Sequence, residues 1–301
     1  MVSAAEVLIC DVGPRDGLQN EAVHLEPPVR AELCDRLAAA GLRRIEAVSF
    51  VHPKWVPQMA GAEEVMAAIQ RRPGVAYAGL VLNEKGYERA LAAGVDEIHY
   101  GFPVTDTFAR KNQNTTSEAG LELAGHLVRR ARADGLPITV TLIVAFGCPF
   151  EGPVPPERVL AVAESVLREP PDELCLADTI GVAVPSQVKR LISAVAAMGV
   201  TTGTHFHNTR NTGYANAVAA LEAGATVFDA SSGGAGGCPF APRATGNIAT
   251  EDLVYLLEGM GVRTGLDLGR LVETSAWLGE RLGKQLPGLL AKAGPFVPID
   301  A

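Results

Sequence analysis

Two histidines separated by one residue, His205 and His207, are the first candidates for metal ligands in this sequence. They end a short apolar run that predicts a β-strand, and side chains two positions apart on a strand share one face. Both imidazoles can therefore point to the same place while Phe206 points away, and neutral imidazole nitrogens bind divalent metals. The alternative is a polar layer at the mouth of a barrel, because such a short motif also occurs by chance.

A second polar cluster follows the first predicted strand. Gly13 and Pro14 form a rigid turn that introduces Arg15 and Asp16 as neighbours. An aspartate supplies the hard oxygen ligand that can complete a two-histidine site, and a guanidinium can stabilise a developing oxyanion. The alternative is a salt-bridged turn that binds no ligand.

Two more carboxylates occur in apolar surroundings. Glu46 lies inside an apolar run, where a carboxylate must be paired because burial of an unpaired charge is unfavourable, and Arg15 is the expected partner. Asp178 ends a different apolar run. It is either an inward-facing group of an active site or the cap of the turn that follows.

The segment 231–247 is rich in glycine and proline, which predicts a mobile loop with unusual backbone geometry. Its one cysteine, Cys238, is interpreted as an accessible and reactive thiol, although burial is the commonest fate of a cysteine. Asn247 ends the segment and is either a fourth metal ligand, through its amide oxygen, or a loop residue. The remaining single histidines are interpreted as rim, core-edge or surface residues: His52, His99 and His126.

Composition argues against nucleic-acid and membrane partners. The chain of 301 residues has a formal net charge of −8, whereas both partners attract basic surfaces. Its five cysteines are widely spaced without a C-x-x-C pair, which predicts neither a disulfide framework nor a zinc ribbon. No signal sequence is recognisable, and no apolar run approaches the ~18 residues of a membrane helix. We therefore expect a cytoplasmic protein in a reducing compartment.

Short apolar runs alternate with amphipathic segments, which is typical of repeated β-α units in an α/β protein with a parallel sheet. Eight predicted strands close naturally into a (β/α)8 TIM barrel, in which chemistry takes place at the carboxyl ends of the strands. The polar clusters described above fall at such ends. The predicted strands are Val7–Val12, Arg44–Phe50, Val75–Leu82, Glu97–Phe102, Ile138–Phe146, Glu173–Ala177, Gly203–His207 and Val227–Ala230.

Predicted helices separate these strands, and several are followed by a glycine, as helix ends commonly are. Two more helices after the eighth strand cap or extend the barrel. We expect one catalytic domain over residues 1–301 with a helical C-terminal extension over about 248–301. The predicted helices are Pro28–Ala40, Ala62–Gln70, Glu84–Ala93, Thr116–Asp134, Pro156–Arg168, Pro185–Met198, Thr212–Ala223, Thr250–Gly259 and Leu268–Leu282.

Six motifs together resemble those of the 3-hydroxy-3-methylglutaryl-CoA lyase family. They occur in the family's order, cover nearly the whole chain and form a highly specific combination. The motifs are Val12-Gly-Pro-Arg-Asp-Gly-Leu-Gln-Asn-Glu21, Ser49-Phe-Val-His-Pro-Lys-Trp-Val-Pro-Gln-Met59, Gly147-Cys-Pro-Phe-Glu-Gly152, Asp178-Thr-Ile-Gly181, His205-x-His207, and Gly236-Gly-Cys-Pro-Phe240 with Gly246-Asn247.

The resemblance implies a metal-dependent TIM barrel that cleaves 3-hydroxy-3-methylglutaryl-CoA to acetyl-CoA and acetoacetate, a reaction of leucine degradation. It implies Mg²⁺ or Mn²⁺ as cofactor and an acyl-CoA as the small-molecule partner, and we expect a homodimer. Either His205 or Asp178 takes the hydroxyl proton. The implied site consists of the metal ligands Asp16, His205, His207 and Asn247, of Arg15 facing the thioester oxygen, of the supporting carboxylates Glu46 and Asp178, and of the loop cysteine Cys238.

Three departures from the family pattern leave the acyl group open. Asn208 replaces an aspartate, residues 209–213 differ from the Thr-Tyr-Gly that usually follows, and His52 replaces a serine. A different 3-hydroxy-3-substituted acyl-CoA is therefore a second possible substrate. Rival activities are a Claisen-type condensing synthase, a metal-dependent thioester hydrolase and a non-catalytic acyl-CoA- or metal-binding protein.

Overall fold

Eight parallel strands close into a barrel in the computed structural model, which describes residues 6–237, 246–294 and 296. The predicted (β/α)8 barrel with extra C-terminal helices is confirmed. Around the barrel the strands follow the order β1, β2, β3, β4, β5, β8, β9 and β10, and β10 pairs with β1. The strands of the chain are β1 (Leu8–Asp11), β2 (Arg44–Ser49), β3 (Ala76–Val81), β4 (Glu97–Pro103), β5 (Ile138–Ile143), β6 (Gly147–Cys148), β7 (Gly152–Pro153), β8 (Glu173–Asp178), β9 (Thr201–Phe206) and β10 (Val227–Ala230).

Helices connect the strands and surround the barrel, and all nine predicted helices are found. None of the described helices is both long and apolar enough to cross a membrane. The helices are α1 (Pro27–Ala39), α2 (Ala62–Ala68), α3 (Glu84–Ala92), α4 (Asp106–Gln113), α5 (Ser117–Asp134), α6 (Pro156–Val166), α7 (Pro185–Ala196), α8 (Gly213–Glu222), α9 (Thr250–Gly259), α10 (Leu268–Leu282) and α11 (Leu290–Ala293).

Several elements differ from the prediction, among them the short helix α11, which follows the last predicted helix. Helix α4 was not expected, because it buries little more than Phe108 and Ala109 and its sequence is otherwise polar. The fifth predicted strand is too long, since it was extended to Phe146 whereas β5 ends at Ile143. The backbone of Val144 then takes a positive φ of 55°, and the chain continues into the β6–β7 hairpin outside the barrel.

The barrel interior contains charged side chains from alternate strands. Arg44, Glu97 and Glu173 open β2, β4 and β8, and in TIM barrels the side chains of alternate strands form a common layer. Nε of Arg44 lies 2.9 Å from Oε2 of Glu97, and its Nη1 donates to Oε2 of Glu173 at 2.5 Å. The second inward layer of the same strands contains Glu46 and His99, two positions further along β2 and β4.

Candidate active site and metal centre

Arg15 and Asp16 lie in a single wide helical turn, Gly13–Gly17, that closely follows β1. Wide turns of this π type occur frequently at functional sites. Nη1 of Arg15 donates to Oδ1 of Asp16 at 2.7 Å, and Nε donates to Oε2 of Glu46 at 2.5 Å, so Glu46 has the partner expected from the sequence. Nη2 of Arg15 makes no hydrogen bond to the described residues.

This turn requires glycine at both ends because other groups lie close against its backbone. A Cβ on Gly13 would lie 2.7 Å from Oδ1 of Asp11, and a Cβ on Gly17 would lie 2.7 Å from Oγ of Ser231. Oδ1 of Asp11 accepts from the Gly13 backbone N–H, and Oδ2 accepts from the hydroxyls of Ser232 and of the first residue of α9. Asp11 therefore ties the turn to both sides of the glycine-rich segment.

The two histidines converge from the end of β9. His205 lies in the strand and His207 directly follows it, both are buried, and their Nε2 atoms are 3.1 Å apart. Phe206 points the other way and packs against Phe146, with ring centroids 6.1 Å apart. The strand alternation expected from the sequence thus brings both imidazoles to one point.

Asp16 completes a group of three possible metal ligands. Its Oδ2 lies 3.9 Å from Nε2 of His207, and one ligand atom from each of Asp16, His205 and His207 lies within 4.8 Å of the others. Neighbouring ligands of an octahedral ion with bonds of about 2.1 Å are about 3 Å apart, close to the separation of the two nitrogens. Two imidazoles and one carboxylate are also a donor set that divalent metals accept. The residues present therefore fit a divalent cation.

Asn247 lies beside this group, in a β-bridge with His207. Its amide nitrogen donates to Oδ2 of Asp16 at 2.8 Å and to the carbonyl oxygen of Ala235 at 3.1 Å. The amide nitrogen, rather than the oxygen, is therefore turned toward the carboxylate. Binding a metal through the oxygen requires the amide group to turn over within the same space.

Asp229 orients His205 from the neighbouring strand β10. Its Oδ2 lies 3.2 Å from Nδ1 of His205, which can donate to it and so leave Nε2 with a free lone pair. Burial by itself lowers the pKa of His205, but the hydrogen bond to Asp229 and the charge of Asp16 raise that pKa above its usual value. Burial and the neighbouring His205 lower the pKa of His207 to about 4, so His207 is neutral at pH 7.

Glu46 connects Arg15 to a buried histidine. Its Oε1 lies 2.9 Å from Nδ1 of His99, while its Oε2 accepts from Arg15. Glu46 sits where the register between β2 and β3 shifts, and such irregularities re-aim side chains beside active sites. The sequence interpretation placed His99 at the edge of the core, whereas the structure places it in the barrel interior. His52 is exposed, and His126 pairs with Glu84.

Asp178 is buried at the end of β8 and holds the turn that follows. Its Oδ1 accepts from the backbone N–H of Val182 at 2.9 Å, and Oδ2 accepts from that of Ala183 at 3.0 Å. Burial raises the pKa of Asp178, and these two hydrogen bonds and the charge of His205 offset part of the rise. A carboxylate offers about four acceptor positions, so Asp178 can still accept a proton or a further hydrogen bond.

Cys238 lies outside the described residues, but Gly236 and Gly246, which flank the segment 238–245, border the site. A Cβ on Gly236 would lie 2.6 Å from Nδ2 of Asn247, and a Cβ on Gly246 would overlap the carbonyl oxygen of Gly236. The two glycines therefore touch each other and the predicted fourth ligand. The described residues on either side of the segment 238–245 therefore lie next to the metal-ligand group.

Sequence reasoning missed three residues that hold this site together: Asp11, His99 and Asp229. Each also contacts a residue of a distant strand or loop, and no local motif shows such a contact. A signal was nevertheless present, because all three are polar residues within apolar strand patterns, where burial of an unpaired group is unfavourable.

A family model described as HMGL-like matches residues 6–278 of this chain. Among curated proteins, the (R)-citramalyl-CoA lyase of Chloroflexus aurantiacus is 49% identical over 305 residues, covering 97% of this chain and 96% of that protein.

Two solved structures resemble the whole chain. The hydroxymethylglutaryl-CoA lyase of Pseudomonas aeruginosa is 42% identical with a TM-score of 0.92, covering 96% of this chain and 97% of that one. An HMG-CoA lyase from Acinetobacter baumannii, solved with coenzyme A and 3-methylmalate, is 39% identical with a TM-score of 0.92 and covers 98% of both chains.

Proposed function

The chain belongs to the HMGL-like family, and from that premise we propose that it is a divalent-metal-dependent lyase for a 3-hydroxy-3-methyl acyl-CoA that carries one free carboxylate. One observation carries this proposal: Asp16, His205 and His207 converge on one point, and the adjacent Arg15 is hydrogen-bonded to Asp16. An acyl-CoA thioester with a tertiary hydroxyl needs both features, because one oxygen must lose a proton while another gains negative charge.

The proposed cofactor is Mg²⁺ or Mn²⁺, held by Asp16, His205, His207 and Asn247. When bound, the cation supplies Lewis-acid polarisation of the substrate hydroxyl and fixes the substrate's orientation. The buried, partly negative donor set favours cation binding, and the neutral state of His207 leaves its nitrogen free to coordinate. Removal of the metal with a chelator is therefore expected to abolish turnover, and added Mg²⁺ or Mn²⁺ to restore it.

The hydroxyl proton is proposed to go to Asp178. His205 was the other candidate, but Asp229 holds its Nδ1 and its Nε2 belongs to the metal-ligand group, so no nitrogen remains for the proton. The carboxylate of Asp178 is fixed by two backbone hydrogen bonds and retains free acceptor positions. As the hydroxyl oxygen becomes a ketone oxygen, the bond between the α and β carbons breaks and its electron pair moves onto the thioester.

Arg15 is proposed to stabilise the enolate that forms. Its Nε and Nη1 are held by Glu46 and Asp16, which leaves Nη2 to donate to the thioester oxygen as negative charge develops there. Cys238 is proposed to protonate the α carbon of the enolate, which releases acetyl-CoA. After the keto acid leaves, the Cys238 thiolate regains a proton from solvent while Asp178 releases to solvent the proton that it took from the hydroxyl, so both groups return to their starting states.

For the acyl group we propose citramalyl-CoA first and 3-hydroxy-3-methylglutaryl-CoA second. The relative named for citramalyl-CoA is 49% identical, whereas the Pseudomonas hydroxymethylglutaryl-CoA lyase is 42% identical. The two thioesters differ by one methylene between the carbinol carbon and the free carboxylate, and their keto-acid products are pyruvate and acetoacetate. One methylene changes specificity by about 10- to 200-fold, so both substrates are expected to turn over at different rates.

Incubation of the purified protein with each thioester and Mg²⁺ or Mn²⁺ tests the proposal, with acetyl-CoA and the keto acid as the measured products. Free CoA released from acetyl-CoA and a keto acid would instead identify a synthase. Free hydroxy acid would identify a hydrolase, and binding without turnover across an acyl-CoA panel would identify a non-catalytic protein.

Two variants separate the roles within the site. His207→Ala is expected to lose metal binding and activity together, because it removes a ligand. Cys238→Ser is expected to keep metal binding and to lower turnover, because a hydroxyl is a much weaker proton donor than a thiol. Full activity in Cys238→Ser would remove the cysteine from the mechanism.

A further inference from the structure

His99 occupies a position between two carboxylates inside the barrel. Nδ1 lies 2.9 Å from Oε1 of Glu46, and Nε2 lies 3.4 Å from Oε1 of Glu97, an ion-pair contact without hydrogen-bond geometry. The side chain of His99 is 8% exposed, and those of Glu46 and Glu97 are 2% and 5% exposed. Neither Glu46 nor Glu97 belongs to the metal-ligand group, so the arrangement calls for an explanation other than metal binding.

The imidazole of His99 is protonated on both nitrogens, and so positively charged, at pH 7. Burial lowers its pKa, but the two carboxylates outweigh burial and raise the pKa to about 10. The pKa values of Glu46 and Glu97 are lowered, since the gains from nearby positive groups exceed the effect of burial. A protonated ring can donate from both nitrogens, so His99 can hold Glu46 in a fixed orientation.

Glu46 has one oxygen for each of its two partners. Oε1 faces His99 and Oε2 accepts from Nε of Arg15, so rotation of the carboxylate would disturb both contacts. Arg15 in turn donates through Nη1 to Asp16, a member of the metal-ligand group. The orientation of Nη2, which has no partner among the described residues, therefore depends on Glu46 and through it on His99.

Glu97 anchors this arrangement at the bottom of the barrel. It accepts from the hydroxyl of Thr139 at 2.9 Å and pairs with Arg44 at 2.9 Å, and Arg44 also binds Glu173. His99 thus contacts a charged layer in which Glu97 is held by Thr139 and Arg44, and Arg44 is held in turn by Glu173. The contact between Nδ1 of His99 and Oε1 of Glu46 then restricts the orientation of Glu46.

We propose that His99 is a positioning residue for the lyase reaction, because it fixes Glu46 and thereby aims Arg15 at the thioester oxygen. The inference rests on the proposed function for the role of Arg15 and adds a residue that never touches substrate. Misplacement of a catalytic group by about 1 Å lowers the rate about 100-fold. An interaction that strengthens only in the transition state changes kcat more than KM.

Three substitutions separate positioning from packing. His99→Phe keeps a ring of similar size and removes both donors. His99→Asn keeps an N–H near the Nδ1 position, facing Glu46, whereas His99→Gln places its N–H near the Nε2 position, facing Glu97. We expect kcat to fall about 100-fold in His99→Phe with little change in KM, to stay within about tenfold of wild type in His99→Asn, and to remain low in His99→Gln.

Tyr100→Phe is the matched control. The neighbouring residue points to the other side of β4 and loses one buried hydrogen bond, from its hydroxyl to the carbonyl oxygen of Gly120, so it reproduces a loss of stability without touching Glu46. Its kcat is expected to match wild type. Wild-type kcat in His99→Phe, or equal losses in His99→Asn and His99→Gln, would overturn the proposal.

Crystal structures of the variants provide a readout that does not depend on the reaction. The contact between Nε of Arg15 and Oε2 of Glu46 is expected to break in His99→Phe and to persist in His99→Asn. An unchanged contact in a folded His99→Phe protein would refute the positioning role even if the substrate proposed above is wrong. Conversely, a broken contact together with a wild-type protein that cleaves no acyl-CoA would refute only the proposed function.

Discussion

Removal of the carboxylate of Asp229 should weaken metal binding without removing a ligand. Oδ2 of Asp229 lies 3.2 Å from Nδ1 of His205, and this contact keeps the proton on Nδ1 and the lone pair on Nε2. Loss of such an outer partner of a metal-binding histidine weakens metal affinity by about 10- to 100-fold. This corresponds to about 1.4–2.7 kcal/mol of binding free energy.

Equilibrium binding of Mn²⁺ to the substrate-free protein measures this effect directly. We expect Asp229→Ala to raise the Kd about 10- to 100-fold. Asp229→Asn is the matched control, since its amide oxygen can still accept from Nδ1 and its Kd should lie closer to wild type. His207→Ala gives the weakest Mn²⁺ affinity expected in this series, because that variant lacks one of the proposed metal ligands.

Two outcomes would refute this reasoning. A wild-type Kd in Asp229→Ala would show that Asp229 does not set the proton position of His205. A loss in Asp229→Asn as large as in Asp229→Ala would show that the negative charge, rather than the hydrogen-bond acceptor, supports the metal. Thermal unfolding of each variant without metal confirms that the comparison is made between folded proteins.

Three further predictions follow from the buried groups. The pKa of His99 is raised to about 10 in the folded protein from about 6.5 in the unfolded chain. The contribution of His99 to the free energy of unfolding is therefore full below pH 6.5 and is lost as pH rises toward 10. The difference in the free energy of unfolding between wild type and His99→Asn, measured by urea unfolding, should shrink over that range. Gly203→Ala should destabilise the protein by about 1–3 kcal/mol, because a Cβ there would overlap Oε1 of Glu173; Gly259→Ala, where a Cβ meets nothing within 4 Å, should leave the melting temperature unchanged or raised. Mn²⁺ affinity should fall as pH drops through the raised pKa of His205, because a protonated imidazole cannot coordinate; a pH-independent Kd would contradict its place among the ligands.

The barrel could be predicted from the sequence because its signals are local. Each strand appears as a short apolar run, and glycines at the predicted helix ends take the left-handed conformation, as at Gly94 with φ of 70° and Gly224 with φ of 104°. The end of β5 could not be predicted in the same way. Val144 and Phe146 continue the apolar pattern and are both buried, yet their burial occurs at the rim and not in the strand.

The convergence of Asp16, His205 and His207 could also be predicted from the sequence, since these residues lie at the ends of strands that a closed barrel must bring together. His205 and His207 share a face by strand alternation, and Asp16 follows the first strand. The orientation of Asn247 could not be predicted, because its amide hydrogen-bonds to Asp16 across the glycine-rich segment. Whether the amide offers nitrogen or oxygen depends on that contact and not on the residue type.

The partners of His99 and His205 depend on the layering of alternate strands, which a linear sequence does not display. Glu46, His99 and Asp229 occupy the third position of β2, β4 and β10, and these are alternate strands of the barrel. Once the eight strands are numbered, the same position on every second strand identifies one layer. Polar residues that recur at that position predict contacts over long sequence separations, such as the pair formed by Glu46 and His99.

This layering also explains why the barrel interior is charged when an apolar interior would serve stability equally well. Replacement of buried ion pairs by apolar residues of similar volume is often neutral or stabilising, so the pairs among Arg44, Glu97 and Glu173 are weak evidence for stability. These ion pairs instead fix the orientation of the side chains that form them, which an apolar contact does not do. The lower layer fixes Glu97, Glu97 contacts His99, and in the layer above Glu46 joins His99 to Arg15. We therefore propose that the barrel interior is the support that orients the candidate catalytic groups at its carboxyl end.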